Sequence, residues 1–352
     1  MQIDKTKPVL VTGGNGYIAS WLVKYLLEDG VDVHATVRDP GNQAKVGHLL
    51  RAAAGAKGKL TLFKADLLSE GAYDAAMQGC ELVFHTASPF VIKGLSDPQK
   101  DLVDPAVKGT RNVLEAANRV PSVKRVVLTS SVVSIYGDAV DMSQLGLKTY
   151  TEAYWNTTSS VDHQPYNYSK VAAERAAWDI AKAQSRWDLL TINPGLVLGP
   201  SLTSASDSTS LSTIRELADG TLMTGVPDME FGLVDVRDVA LAHIKAGYTA
   251  AASGRHIAVS TSVTMWQIVQ ILKTRFGRGY RWPLMVAPKA IVWLIAPLQG
   301  YSRRFVSGNV GWPLKFDNSY TRKDLGMQFR PVETTLAEHF QQMLDDGILR
   351  KR

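Results

Sequence analysis

Residues 9–19 read VLVTGGNGYIA, a short apolar strand that runs through a glycine-rich turn into the amphipathic stretch 18–28. Gly13 and Gly16 are spaced to permit a tight turn and a close approach of the backbone to a pyrophosphate, while Ala19 lets the helix pack on the strand. The first turn of that helix offers free N–H groups to phosphate. The stretch therefore predicts a dinucleotide site, with the contacting residues Thr12, Gly13, Asn15, Gly16, Tyr17 and Ile18.

Short apolar runs alternate with helical patterns over the first half of the chain. The runs predicted as strands are 9–12, 32–37, 60–63, 82–85, 125–129 and 189–192. This alternation predicts an α/β fold with a Rossmann-type, doubly wound parallel sheet. We expect a dinucleotide-binding domain over residues 1–200, with later returns to the sheet around 230–260. Residues 201–352 are expected to form mainly a smaller C-terminal, substrate-binding lobe, and the Ser/Thr-rich segment 201–213 is predicted to be a mobile loop.

Composition excludes several classes of protein. With 45% hydrophobic and 20% charged residues over 352 positions, the chain can bury a core and is not a disordered polypeptide. The net charge of +6 is scattered, apart from basic residues at 275–281 and at the end of the chain, which argues against a nucleic-acid partner. Cys80 is the single cysteine, the N-terminus lacks an apolar leader, and no metal site is indicated, so a cytoplasmic location is expected.

The most apolar stretch runs from Trp282 to Leu298. It contains Lys289 and prolines at 283, 288 and 297, so it is too short and too broken to span a membrane. A buried or pocket-covering helical segment is the favoured interpretation, and contact with a membrane surface or a partner is the alternative.

The end of the second strand decides the cofactor. An acidic residue is usual there in NAD-binding proteins, but this strand ends Ala-Thr-Val-Arg-Asp with Arg38 in that place. A guanidinium suits a 2′-phosphate, and Lys45 adds a second positive charge, so NADP(H) is predicted. The alternative is that Arg38 only pairs with Asp39 at the surface.

Two further strand ends carry candidate cofactor contacts. Asp66, followed by Leu67, closes the third strand and either accepts from the adenine amino group or caps the following helix. Thr86, Ala87 and Ser88 follow the fourth strand, where small residues let the backbone run beside the cofactor ribose.

Residues 166–170 read YNYSK and open a helical stretch. Tyr166 and Lys170 are four residues apart and share one helical face, where an ammonium favours the phenolate and is expected to lower the tyrosine pKa. Residues 129–131 read TSS at the end of a buried strand, where a serine hydroxyl can bind a substrate carbonyl oxygen.

With these elements in this order, the chain resembles the extended short-chain dehydrogenase/reductase family. Within it, the chain is most similar to the branch of dihydroflavonol reductases, cinnamoyl-CoA reductases and microbial NADPH-dependent aldehyde and ketone reductases. The segments that carry the resemblance are 35–40, 64–67, 83–89, 121–131, 166–170, 193–200 and 234–243.

The resemblance implies a catalytic set of Ser131, Tyr166 as the general acid, and Lys170, which binds the nicotinamide ribose. It also implies that Thr129 and Ser130 line the nicotinamide side, and that Pro194, Gly195 and Leu196 contact the carboxamide. The implied activity is that of an NADP-dependent oxidoreductase, a carbonyl, aldehyde or keto reductase that acts reversibly on a small molecule. A homodimer is left open.

The substrate pocket departs from the plant enzymes of this branch. Tyr136 stands where dihydroflavonol reductases have an asparagine that contacts the flavonoid, and the sequence before Tyr166 lacks the Asn-Trp pair of cinnamoyl-CoA reductases. We predict Phe90, Tyr136 and Trp155 as lining residues, with Trp155 as a core residue in the alternative. Competing functions on the same fold are a nucleotide-sugar epimerase or dehydratase, a 3β-hydroxysteroid-type dehydrogenase, and a non-enzymatic NADP(H)-binding redox sensor.

Overall fold

A seven-stranded parallel sheet forms the centre of the computed structural model, which describes residues 1–89, 96–202 and 209–350. Its strands lie in the order β3-β2-β1-β4-β5-β6-β9, and a separate three-stranded sheet has the order β10-β8-β7. The strands are β1 Val9–Thr12, β2 Val33–Val37, β3 Leu60–Lys64, β4 Leu82–His85, β5 Arg125–Thr129, β6 Asp188–Pro194, β7 Leu196–Leu198, β8 Glu230–Asp235, β9 Gly254–Ala258 and β10 Thr261–Thr264.

Helices connect the strands and cover both faces of the large sheet. They are α1 Tyr17–Glu28, α2 Gln43–Ala53, α3 Asp74–Met77, α4 Asp104–Arg119, α5 Ala139–Gln144, α6 Pro165–Lys182, α7 Thr209–Glu216, α8 Val236–Tyr248, α9 Met265–Phe276, α10 Lys289–Ile295, α11 Arg303–Asn309, α12 Ser319–Asp324 and α13 Val332–Asp345. The buried strands β1, β4 and β5 are apolar except at their ends, where Thr12, His85, Arg125 and Thr129 lie, which explains the short apolar runs in the sequence. The predicted Rossmann-type fold is confirmed.

The two faces have separate cores. Side chains of α1, α2 and α8 pack on one face of the large sheet, and side chains of α4 and α6 pack on the other. The small sheet has a third core, shared with α7, α9 and α13. Strand β9 returns to the large sheet and α8 packs against α1, so the later part of the chain contributes to both sheets.

Two predictions about individual segments are wrong. Residues 209–213 of the predicted mobile loop lie in helix α7, and residues 203–208 lie outside the described residues. For the apolar stretch 282–298, only the prediction of a buried helix is wrong, because α10 contains no buried residue, and the pocket-covering and surface-contact interpretations stay predictions.

Among the described residues, no helix is both long enough and apolar enough to cross a membrane. The predicted cytoplasmic location stays a prediction.

Candidate functional site

The turn between β1 and α1 depends on glycines pressed against neighbouring strands. Gly13 has φ +64°, and a Cβ there would lie 3.1 Å from the Cα of Ala87. Gly14, which the spacing argument did not use, is tighter still, since its Cβ would lie 2.8 Å from that of Ala35. Gly14 N–H also donates to the carbonyl of Thr36 at 2.9 Å. The turn is thus held between β2 and the segment after β4, and its backbone leads into the N-terminus of α1.

Thr12 fixes the segment that follows β4. Its Oγ1 accepts the N–H groups of Thr86 and Ala87, both at 3.1 Å. The same oxygen lies 2.9 Å from Nδ1 of His85, whose burial lowers the pKa of the imidazole to about 3 and keeps it neutral. Thr12, predicted as a cofactor contact, therefore positions residues 86–88 through its side chain.

Three other residues of the predicted dinucleotide site lie at the start of α1 or just before it. The Tyr17 hydroxyl donates to the carbonyl of Gly199 at 2.5 Å, which ties the start of α1 to the end of β7. Asn15 and Ile18 are partly exposed on either side of the helix start.

Arg38 follows β2 and is exposed. Its guanidinium forms no ion pair with any residue that the structure describes, whereas the carboxylate of Asp39 accepts the N–H of Gly41 at 2.9 Å. The alternative of a surface pair between Arg38 and Asp39 is therefore wrong. Lys45 is also exposed, in the first turn of α2, where its N–H is capped by Asn42.

Asp66 and Leu67 stabilise the chain after β3. Asp66 Oδ1 accepts the N–H of Leu68 at 2.8 Å and closes a turn, so it does not cap a helix, and α3 begins only at Asp74. Leu67 packs so closely on α4 that a Cβ at Gly109 would lie 2.5 Å from its Cγ.

Tyr166 and Lys170 lie one turn apart near the start of α6. The Lys170 ammonium is 5.7 Å from the centroid of the Tyr166 ring and donates to Oγ of Ser88 at 2.9 Å. This contact joins α6 to the carboxyl edge of the sheet, beside the segment that Thr12 holds. The residues predicted from two distant parts of the sequence are therefore brought together.

The pKa of Tyr166 shifts in the direction opposite to the prediction. Burial raises the pKa of the phenol to about 12. Burial also lowers the pKa of Lys170 to about 8. Desolvation of the phenolate outweighs the attraction of an ammonium this far from the ring centre. The predicted lowering of the tyrosine pKa is thus wrong, and Tyr166 is a neutral phenol at neutral pH.

Ser131 follows β5 in an extended conformation and starts a single 3₁₀ turn over residues 132–134. Its Oγ accepts the N–H of Val133 at 3.3 Å and lies 3.4 Å from the carbonyl oxygen of Pro194. Ser131 is partly exposed at the same edge of the sheet as Ser88, because parallel strands end at one edge.

The hydroxyls of Thr129 and Ser130 are engaged by the protein interior. Thr129 Oγ1 lies 2.6 Å from Nε2 of the fully buried His243. The Ser130 hydroxyl donates to the carboxylate of Glu174. Both hydroxyls are therefore bonded within the protein, and the predicted place of the two residues on the nicotinamide side stays a prediction.

A buried ion pair underlies the strand end that carries Ser131. Glu174 on α6 bonds Nε of Arg255 on β9 at 2.6 Å, and both side chains are almost fully buried. The carboxylate also accepts from Ser134 Oγ at 2.5 Å and Asn193 Nδ2 at 2.9 Å. The same Asn193 amide donates to the Ser131 carbonyl at 3.1 Å. Sequence reasoning missed this network, because nothing in the pattern pairs a helix glutamate with an arginine 81 residues away.

The segment 194–196 connects the two sheets. A Cβ at Gly195 would lie 2.1 Å from the carbonyl oxygen of Gly232, so only glycine fits between β6 and β8. Pro194 ends β6 and is buried, and Leu196 begins β7 and is partly exposed. Gly195 is therefore required by packing, whatever it contacts on the cofactor side.

The three residues predicted to line the substrate pocket lie in different surroundings. Tyr136 is partly exposed within a group of aromatic rings, 5.6 Å from Phe316. The Trp155 ring stacks 4.0 Å from the Arg255 guanidinium and 5.2 Å from that of Arg175, and its role as a pocket wall stays a prediction. Trp155 is only partly buried, so it is not a core residue. Phe90 lies outside the described residues.

Known proteins resemble the chain in both sequence and fold. The sequence model of the NAD dependent epimerase/dehydratase family matches residues 9–260. A protein named cinnamoyl-CoA reductase CAD2, from Medicago truncatula, is 40% identical over 94% of this chain and 93% of its own length. Tetraketide alpha-pyrone reductase 1 of Arabidopsis thaliana is 36% identical over 99% and 98%. The crystal structure of Gre2 from Candida albicans in complex with NADPH has a TM-score of 0.76 at 28% identity, covering 96% of this chain and 99% of Gre2.

Proposed function

Because the chain belongs to the NAD dependent epimerase/dehydratase family, in its extended short-chain dehydrogenase/reductase branch, we propose that it reduces the carbonyl group of an aldehyde or ketone with hydride taken from NADPH. It is an oxidoreductase of this branch and uses NADP(H). The observation that carries the proposal is the contact of Lys170 with Ser88 beside Tyr166, at the sheet edge where Ser131 also lies.

The residues at the turn fit a phosphate-bearing dinucleotide. Gly13 and Gly14 leave no room for a Cβ against Ala87 and Ala35, and the turn leads into the N-terminus of α1, whose free N–H groups can bind phosphate. Arg38 and Lys45 are exposed cations beyond the end of β2 and are available to a 2′-phosphate. Asp66, Ala87 and the backbone of 194–196 border the rest of the site in this proposal.

Three side chains perform the proton chemistry in the proposed mechanism. Tyr166, neutral because its pKa is raised, donates its phenolic proton to the carbonyl oxygen. The Ser131 hydroxyl donates a hydrogen bond to the same oxygen and stabilises the charge that develops there. Lys170 holds its ammonium beside the phenol and stabilises the phenolate that is left. The substrate enters between this edge and the C-terminal lobe, which we propose is formed mainly by residues 201–352.

Arg38→Asp is expected to raise the KM for NADPH by about 10- to 100-fold, because a charge-assisted contact to the 2′-phosphate is lost and a repulsion replaces it. The KM for NADH should change little or fall. Lys57→Asp, at an exposed lysine before β3, makes the same change in net charge away from the proposed site and serves as the control. Steady-state kinetics with each cofactor checks this, and a wild type that binds NADH as tightly as NADPH contradicts the assignment.

Oxidation of NADPH in the presence of a carbonyl panel tests the function itself. The panel contains aliphatic and aromatic aldehydes, bulky ketones and a hydroxycinnamoyl-CoA thioester. We expect NADPH absorbance to fall when aldehydes or ketones are added to the wild type. The Tyr166→Phe variant should abolish this fall. If only the thioester is turned over, the protein has instead the activity for which its relative, cinnamoyl-CoA reductase CAD2, is named. Conversion of a nucleotide sugar without net consumption of NADPH, or no turnover of any kind, overturns the proposal.

A further inference from the structure

Helix α10 presents apolar side chains to solvent on one face. Ile291, Leu294 and Ile295 follow the i, i+3, i+4 spacing of a single helical face, and Leu298 continues it in the next turn. Their exposed fractions are 53% for Ile291, 63% for Leu294, 43% for Ile295 and 85% for Leu298. We call these four residues the α10 face. Leu284 and Met285, just before the helix, are exposed as well.

The opposite side of α10 is the one that packs on the protein. Val292 and Ala296 cluster with Val306, in the middle of α11, and with Val310, just beyond its end. The helix is thus fixed with its larger apolar residues outward, the reverse of the usual arrangement on a protein surface. An exposed apolar face of this kind marks an interaction surface, and within the residues that the structure describes nothing covers it.

Cations surround the α10 face. Lys289 opens α10, and Arg303 and Arg304 open α11, all three exposed. Arg303 lies over the ring of Trp293, 4.4 Å from its centroid. The sequence between Asp238 and Asp317 contains no acidic residue.

Two acidic residues lie near the packed side of α10, on either side of Met229, which belongs to the same apolar cluster as Val292 and Ala296. Asp228 precedes β8 and its backbone carbonyl accepts the N–H of Gly311, while the carboxylate of Glu230, the first residue of β8, is paired with Lys315. The surface around the α10 face is therefore apolar at its centre and positively charged at its rim.

We propose that the α10 face docks on the surface of an anionic phospholipid bilayer. Apolar side chains on a short amphipathic helix enter the boundary between headgroups and acyl chains, tryptophan and tyrosine favour that boundary, and arginine and lysine bind anionic headgroups. Trp293 and Tyr301 are also exposed in this part of the chain, and Arg303 lies over the Trp293 ring. A second copy fits less well, because a two-fold contact places the same basic rim against itself.

Vesicle sedimentation with the full chain and NADPH tests the proposal. The protein should sediment with phosphatidylcholine vesicles that contain phosphatidylserine, and at least about tenfold less with phosphatidylcholine alone. Added salt should release it, because the Debye length shortens. Equal binding to both vesicles, or no binding to either, overturns the proposal.

Paired variants assign the binding to this surface. Leu294→Gln with Leu298→Gln should abolish sedimentation with vesicles, whereas Leu145→Gln, at a 63% exposed leucine on a different helix end, should not. The double variant Arg303→Gln with Arg304→Gln should bind vesicles more weakly and with a smaller dependence on salt. The double variant Lys57→Gln with Lys59→Gln removes the same charge elsewhere and should change neither property. All these residues lie outside the proposed catalytic machinery, so turnover of a water-soluble aldehyde should be unchanged.

Two experimental results would show that something other than a bilayer contacts the α10 face. If sedimentation velocity shows a dimer that Leu294→Gln with Leu298→Gln dissociates, and vesicles are not bound, the α10 face is an interface between two copies. If the same variant raises the KM for a small aldehyde without changing vesicle binding, the segment covers the substrate pocket. Either result overturns the proposal.

Discussion

Tyr166→Phe is expected to lower kcat for carbonyl reduction by about 10²- to 10⁴-fold, the usual contribution of a positioned general acid. The variant removes only the phenolic O–H, so the helix, the Lys170 contact with Ser88 and the binding of NADPH should persist. The dissociation constant for NADPH, measured by fluorescence titration, should stay within about twofold of the wild type. A fall in kcat with intact cofactor binding is the signature of a proton donor.

Tyr168→Phe is the matched control for this variant. Tyr168 is two residues further along α6, on a different face, and is also partly exposed. The same atom is removed from the same helix, so kcat should be unchanged. If Tyr166→Phe keeps full activity, or if both variants lose activity equally, Tyr166 is not the acid.

The raised pKa of Tyr166 changes the interpretation of its role in reduction. A phenol whose pKa is raised to about 12 by burial is fully protonated at neutral pH but is a weaker acid than free tyrosine, so proton donation depends on a group that stabilises the phenolate. Lys170, whose pKa burial lowers to about 8, is still mainly charged there and stabilises the phenolate once the proton has left. The sequence argument placed the right pair on one helical face but assumed that the charge would dominate over desolvation.

The elements of the large sheet were predictable because its strands are short, apolar and separated by strong helical patterns. The runs 9–12, 82–85 and 125–129 coincide with β1, β4 and β5, and the others differ by one or two residues at their ends. The glycine spacing placed the turn between β1 and α1 correctly, since a tight turn between a buried strand and a helix needs residues without side chains.

Side-chain directions and long-range contacts were not predictable from one sequence. Nothing in the sequence pattern indicated that the Trp155 ring stacks on the guanidinium groups of Arg175 and Arg255. Ser130 is next to Ser131 in sequence, yet its hydroxyl donates a hydrogen bond to the buried carboxylate of Glu174. The apolar content of residues 282–298 led to the prediction of a buried helix, but α10 contains no buried residue. Hydropathy reports composition and does not indicate which side of a helix packs on the rest of the protein. These outcomes depend on tertiary packing, which local patterns do not contain.

Glu174→Gln is expected to destabilise the fold by about 3–5 kcal/mol, because it leaves the Arg255 guanidinium buried without its carboxylate. Urea unfolding of the cofactor-free protein measures this loss. Glu115→Gln, at an exposed glutamate on α4, is the control and should change stability by less than about 0.5 kcal/mol. A double-mutant cycle with Arg255→Gln should return a large coupling energy, and simple additivity of the two losses argues against the pair.

The pH dependence of that loss follows from the direction of the Glu174 pKa shift. Burial alone raises the pKa of this carboxyl, but the Arg255 guanidinium and the Ser130 and Ser134 hydroxyls together bring it below its ordinary value of 4.5. A lowered folded-state pKa stabilises the protein above pH 4.5 and ceases to do so as the pH falls through the folded-state value. The difference in unfolding free energy between wild type and Glu174→Gln should therefore be largest at neutral pH and shrink on acidification below 4.5. A difference that stays constant over that range means that packing, not the buried charge, stabilises the strand end that carries Ser131.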